Sequence, residues 1–179
     1  MKKQNKKILG ASIGLFILLV ILLEWYKRSK IQIIDVYNSL PRDVNYTTRS
    51  LEQILQIIIH HSASTIHTAE DFARWHIQRG WPGIGYHFVI EKDGRILQTN
   101  PLTNISYGAS GENTKSIHIV LSGNFDVEQP TKAQLNSLEK LIPHLEQQLN
   151  RNLSVSGHKD HGQTACPGAY LYAQLSQVA

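Results

Sequence analysis

The chain has 179 residues and a formal net charge of +4, with 41% hydrophobic and 18% charged residues. That length suits one domain with an appendage, and the composition excludes wholesale disorder. A single Cys excludes an intrachain disulfide and a four-Cys zinc ribbon.

The charge is unevenly placed. Residues 1–30 carry seven Lys/Arg against one acid, a net +6, while the other 149 residues carry 11 Lys/Arg against 13 Asp/Glu, a net −2. A mildly acidic body makes a poor phosphate-binding surface, so no nucleic-acid partner is expected.

The first predicted element is Ile8–Leu23, sixteen residues without a charge or a proline, preceded by MKKQNKK. As a helix it would span roughly 24 Å at about 1.5 Å per residue, against a bilayer core of about 30 Å. Snorkelling by Lys7 and an interfacial Trp25-Tyr26 make up the difference. The run ends Leu22-Leu23-Glu24-Trp25-Tyr26, with no small residues to fit a signal peptidase. An uncleaved signal anchor, one transmembrane helix within residues 1–30, is therefore expected, with secretion after cleavage as the alternative. Four Lys precede the span and three Lys/Arg follow it. That slight bias leaves the N-terminus inside and the domain on the periplasmic or extracellular side of the cytoplasmic membrane.

Residues 31–52 read as a connector broken by Pro41, Asn45 and Thr47-Thr48, and residues 53–179 as the domain. Gln53–His61 reads as a strand through its β-branched run Ile57-Ile58-Ile59. Thr68-Ala69-Glu70-Asp71 resembles a capping box opening a helix that Gly80 and Trp81-Pro82-Gly83 stop. Ile84–Glu91 and Arg95–Thr99 flank Asp93-Gly94, a hairpin signal. Ser116–Ser122 alternates as a strand, with Ile117, Ile119 and Leu121 on one face and His118 and Val120 on the other. Thr131 and Gln134 cap a long helix with a stripe of Leu135, Leu138, Leu141-Ile142, Leu145 and Leu149, which Pro143 should kink. Ser154–Gly157 is a short strand leading into His158, and Pro167–Gln177 a terminal helix. Together these predict an α/β domain on a mixed central β-sheet flanked by helices.

The single Cys is separated from His158 by seven residues, in Gly157-His158-Lys159-Asp160-His161-Gly162-Gln163-Thr164-Ala165-Cys166. A strand end and a helix start could hold His158 and Cys166 at one point. With His60 at the end of another strand, two imidazoles and a thiolate can converge, which suits a zinc with an open fourth position. Taken alone, a lone Cys is usually a small buried hydrophobe and a lone His usually structural, so spacing by itself favours the bland reading.

Five motifs occur in order: Ile58-Ile59-His60-His61-Ser62-Ala63; Trp75-His76 with Arg79-Gly80-Trp81; Gly85-Tyr86-His87-Phe88 with Asp93-Gly94; Ser116-Ile117 with Gly123-Asn124-Phe125; and the His158–Cys166 loop. From about Gln53 to the C-terminus the chain resembles the zinc-dependent type-2 N-acetylmuramoyl-L-alanine amidases. That family includes short phage lysozymes of the amidase kind and the peptidoglycan recognition proteins. The resemblance implies the peptidoglycan-recognition-protein-like amidase fold and a Zn2+ held by His60, His158 and Cys166. It implies hydrolysis of the amide between N-acetylmuramic acid and L-alanine, with peptidoglycan or muropeptides as partner; a monomer is expected. It gives Tyr86 and Thr164 catalytic roles, orienting water or stabilising the tetrahedral oxyanion.

His61 falls where the family varies and reads as a neighbour of the metal or a surface residue. His87, His118, His144 and His161 read as structural. The general base stays open between Tyr86, acting with the metal's water, and Asp160. The chain departs from the family pattern at Thr99-Asn100-Pro101, where Gly-Arg is frequent, and at Gly108-Ala109-Ser110, where Gly-Ala-His is frequent. A non-catalytic peptidoglycan-binding module usually lacks the ligand Cys, which is present here. A scaffold with a structural zinc would need a fourth protein ligand.

Overall fold

The computed structural model describes residues 31–178, so the expected Ile8–Leu23 span lies outside the described residues. Among the described residues no helix is long and apolar enough to cross a membrane.

Six strands form one sheet: β1 (Ile33–Asp35), β2 (Gln56–His61), β3 (Phe88–Ile90), β4 (Ile96–Gln98), β5 (Ser116–Leu121) and β6 (Ser154–Gly157). Their spatial order is β1-β4-β3-β5-β2-β6. Only β3 and β4 run antiparallel, as the hairpin around Asp93-Gly94, where Gly94 takes a φ of +86°. β2 lies parallel between β5 and β6, so the C-terminal ends of all three reach one edge. Open sheets with parallel strands place their sites at that edge.

Residues 31–52, expected as a connector, instead contribute to this body. β1 pairs in parallel with β4, the Tyr46 hydroxyl donates to the Ile84 carbonyl at 2.7 Å, and Arg49 is buried. Among the described residues no acid pairs with Arg49. Its guanidinium donates to the carbonyls of Leu102, Asn113, Thr114 and Ser116 at 2.8–3.0 Å, tying down the loop that feeds β5.

Helix α1 (Ala69–Gln78) starts where expected. Thr68 and Asp71 form a reciprocal capping box, satisfying backbone N–H groups that the first turn leaves open. The helix buries Phe72 and Ala73 in a cluster with Ile84, Val89, Leu97 and Val120, which covers one face of the sheet. Because strand side chains alternate, Ile119 and Leu121 point the other way. They too are fully buried. The long helix α2 (Lys132–Leu149), docked against β3, supplies the cover there through Leu138, Leu141 and Leu145. Thr131 and Gln134 form its capping box, and the Gln134 amide also donates to the Ser122 carbonyl at 2.8 Å, pinning the helix start to the end of β5. Pro143 sits inside α2 without dividing it. The terminal helix expected over Pro167–Gln177 is two short ones, α3 (Ala169–Tyr172) and α4 (Leu175–Val178).

Two buried imidazoles make stability depend on pH. His87 Nδ1 accepts from the His118 backbone N–H at 3.0 Å, and its pKa is pushed down to about 3 by burial and by the Arg49 guanidinium. His76 Nδ1 accepts from the Gly85 N–H at 2.9 Å, and burial and Arg79 push it down to about 4. Below pH 6.5 the unfolded chain takes up protons that the folded chain refuses. Their contribution is therefore complete above pH 6.5 and is lost as pH falls towards 4 and then 3. Urea unfolding should show stability dropping by on the order of a few kcal/mol between pH 6.5 and 4. A flat profile over that window rules out this coupling.

Candidate metal centre

The motif residues converge because β2 is central. His60 is the fifth residue of β2, and β6 beside it ends at Gly157, so His158 emerges next to it. Residues 158–161 form a short 3-10 turn whose return brings Cys166 back: the Lys159 N–H donates to the Cys166 carbonyl at 2.8 Å. One ligand atom from each of His60, His158 and Cys166 lies within 4.8 Å of the others, and this is the one such group among the described residues.

The geometry of the donor set suits zinc. Bond lengths of about 2.3 Å to sulfur and 2.0–2.1 Å to nitrogen at a tetrahedral angle place the two ligand atoms about 3.6 Å apart. The observed separation of Cys166 Sγ and His60 Nδ1 is 3.6 Å. Burial holds both imidazoles below their ordinary pKa, His60 far below it, so each offers a lone pair at neutral pH. Burial also pushes the Cys166 thiol up to about 12. A cation is what would draw the thiolate out, releasing its proton on binding. The residues fit the metal.

The centre opens into a cleft of about 480 Å³. Tyr86 and Thr164 line it, as do Phe72, Trp75, His76, Arg79 and Trp81 from α1 and the segment after it. The Tyr86 ring centroid is 5.3 Å from that of His60, and burial followed by Cys166 raises its pKa. Burial therefore favours the neutral phenol, a form that can donate a hydrogen bond into the cleft. Thr164 Oγ1 accepts from the Cys166 N–H at 3.1 Å, which leaves its own proton free to donate into the cleft. His61 is buried beside this trio. Its N–H donates to Cys166 Sγ at 3.4 Å and its Nδ1 accepts from the Phe125 N–H at 3.2 Å.

Asp160 does not face the cleft. Its carboxylate accepts from the Gly157 N–H at 2.8 Å and from the Tyr172 hydroxyl at 2.6 Å, so both oxygens are engaged and it is no candidate base. The acid that does line the cleft is Asp126, which the sequence reading missed. One of its oxygens accepts from the Ala169 N–H at 3.0 Å. Its signal was available, since it follows the Gly123-Asn124-Phe125 motif directly. Of the residues read as structural, His87 is a strut and His161 pairs with Ser156 at 2.7 Å, but the imidazole of His118 touches His60.

Over residues 50–169 the chain matches the family model described as N-acetylmuramoyl-L-alanine amidase. It is 32% identical over 132 residues to peptidoglycan-recognition protein LB of Drosophila melanogaster, a match covering 67% of this chain but 57% of that protein. The endolysin of Klebsiella phage KP32 is 29% identical over 132 residues, covering 69% of this chain and 85% of the endolysin. Among solved structures, N-acetylmuramoyl-L-alanine amidase LysC from Clostridium intestinale superposes with a TM-score of 0.68 at 32% identity, covering 82% of this chain and 99% of that one. The matched residues contain β2 to β6, His60, His158 and Cys166, and the chain belongs to the N-acetylmuramoyl-L-alanine amidase family.

Proposed function

We propose that this amidase hydrolyses the bond between the lactyl group of N-acetylmuramic acid and L-alanine of the stem peptide, using zinc held by His60, His158 and Cys166. The observation that carries the reading is the convergence of those three ligand atoms at the base of an open cleft. Three protein ligands leave one position free, the pattern of catalytic rather than structural zinc. Bound there, zinc would polarise the amide carbonyl and acidify a water molecule. The Tyr86 phenol and the Thr164 hydroxyl donate hydrogen bonds to the developing oxyanion. Trp75, Trp81 and Phe72 give the cleft an apolar wall, and Arg79 gives it a cation.

Incubating the chain with muropeptides and weighing the products tests this. Release of intact stem peptide, abolished by a chelator and restored by zinc, is the expected result. Binding without products would move the reading to a non-catalytic peptidoglycan module.

The N-terminal segment supports a second proposal: Ile8–Leu23 anchors the enzyme, as a monomer, at the outer face of the cytoplasmic membrane. Fractionation should find the whole chain in the membrane pellet. A soluble form beginning near residues 25–35 would show cleavage instead.

A further inference from the structure

A metal-bound histidine ordinarily donates its second ring N–H to a carboxylate, a backbone carbonyl or a water. At His60 the second nitrogen meets another imidazole. His60 Nδ1 faces Cys166 Sγ, and its Nε2 lies 3.0 Å from His118 Nδ1. Both residues are essentially sealed from solvent, at 1% and 0% exposure. We propose that His118 is the positioning residue of this centre, accepting the His60 Nε2–H at Nδ1 and so holding His60 in the tautomer whose Nδ1 lone pair points at the metal. The inference rests on the zinc reading above.

The proton arithmetic allows two arrangements of the neutral pair. In one, His118 donates to His60, which then carries its own proton on Nδ1, where a metal must bind. In the other, His60 donates and its Nδ1 is free. Only the second is compatible with a ligand. It leaves the proton of His118 on Nε2, and that atom is buried with no hydrogen-bond partner among the described residues. A side chain kept only to fill space would carry no such cost, since an apolar group leaves no polar atom unsatisfied.

The backbone around His118 locks the ring. Its strand runs parallel to β2, and Ile58 is its register partner, so His118 and His60 lie on the same face two residues out of step. Gly108 packs directly against the ring: a Cβ there would stand 2.4 Å from His118 Nδ1 and 2.5 Å from its Cγ. Glycine is what lets the main chain approach this closely. His87 takes the His118 backbone N–H, fixing the strand at that residue. Because the acceptor is an imidazole and not a carboxylate, it orients His60 without adding negative charge. Cys166 is then the sole anionic ligand, which preserves the electrophilicity of the ion.

The test measures zinc affinity of the full chain by competition with a chelating dye. It compares wild type, His118→Phe and His118→Asn, with thermal unfolding of the metal-free proteins as a folding control. His118→Phe should lose about 10- to 100-fold in affinity, the usual effect of removing such a partner. His118→Asn, whose carbonyl oxygen stands near the place of Nδ1, should stay within a few-fold of wild type. A folded His118→Phe that binds zinc as tightly as wild type overturns the inference. Should that variant fail to fold, long-range 1H–15N spectra of the zinc-loaded wild type decide. Expected is a His118 protonated at Nε2 and bare at Nδ1, whereas a proton on Nδ1 overturns the assignment. A wild-type chain that takes up no zinc overturns the metal reading and this inference with it. A chain that takes it up while His118→Phe is unaffected overturns this inference alone.

Discussion

Cys166→Ser should leave the protein folded, strip it of metal and abolish its amidase activity. The serine hydroxyl stays protonated in a buried site, so the centre loses its one anionic ligand and keeps two neutral imidazoles. The loss should exceed the roughly 10- to 100-fold typical of outer-sphere substitutions, because a direct ligand is removed. Elemental analysis should find about one zinc per wild-type chain and far less in the variant. The fold itself should survive, since Cys166 occupies the cleft wall and not the apolar clusters around α1 and α2. A Cys166→Ser protein with full metal and full turnover would sink the proposed centre.

Tyr86→Phe is expected to act on the chemistry alone. The ring stays, so its packing against His60 and His76 is preserved. The substitution deletes the phenol, which burial keeps protonated and therefore available as a donor. If the hydroxyl serves the transition state, kcat should fall by roughly 100-fold or more while KM barely moves. Zinc content should be unchanged. Thr164→Val, similar in shape, should lose less, because a rotatable hydroxyl is a less preorganised donor. Parent rates in both variants would leave the oxyanion to other donors, with the Arg79 guanidinium the next side chain to examine on the cleft wall.

The local signals in the sequence were those with short-range causes. Thr68 with Asp71 and Thr131 with Gln134 marked both helix starts, since a capping box is complete within four residues. The alternation in Ser116–Ser122 gave the faces of β5, and the hairpin was written in Asp93-Gly94. What escaped depended on partners remote in sequence. β1 is three residues long and owes its existence to pairing with β4, some sixty positions away. The convergence of His60, His158 and Cys166 was legible through ordered motifs. The place of His118 was not: its face could be read from alternation, but its neighbour on β2 required the parallel register. Asp160 attracted attention by lying in the His158–Cys166 loop, yet its carboxylate turns away to Gly157 and Tyr172. Proximity along the chain said nothing about direction.

The central position of β2 dictates the order in which the chain can become an enzyme. His60 leaves the ribosome early, but Cys166 is 106 residues later, and β6, which closes the open side of β2, comes just before it. During synthesis β2 can pair with β5 while its other edge still offers unpaired backbone groups. The last segment to emerge both covers that edge and delivers two of the three proposed ligands. A nascent chain halted before Ser154 thus has five of the six strands but only one of the three proposed ligands, so zinc-dependent turnover would not begin before the fold is nearly complete.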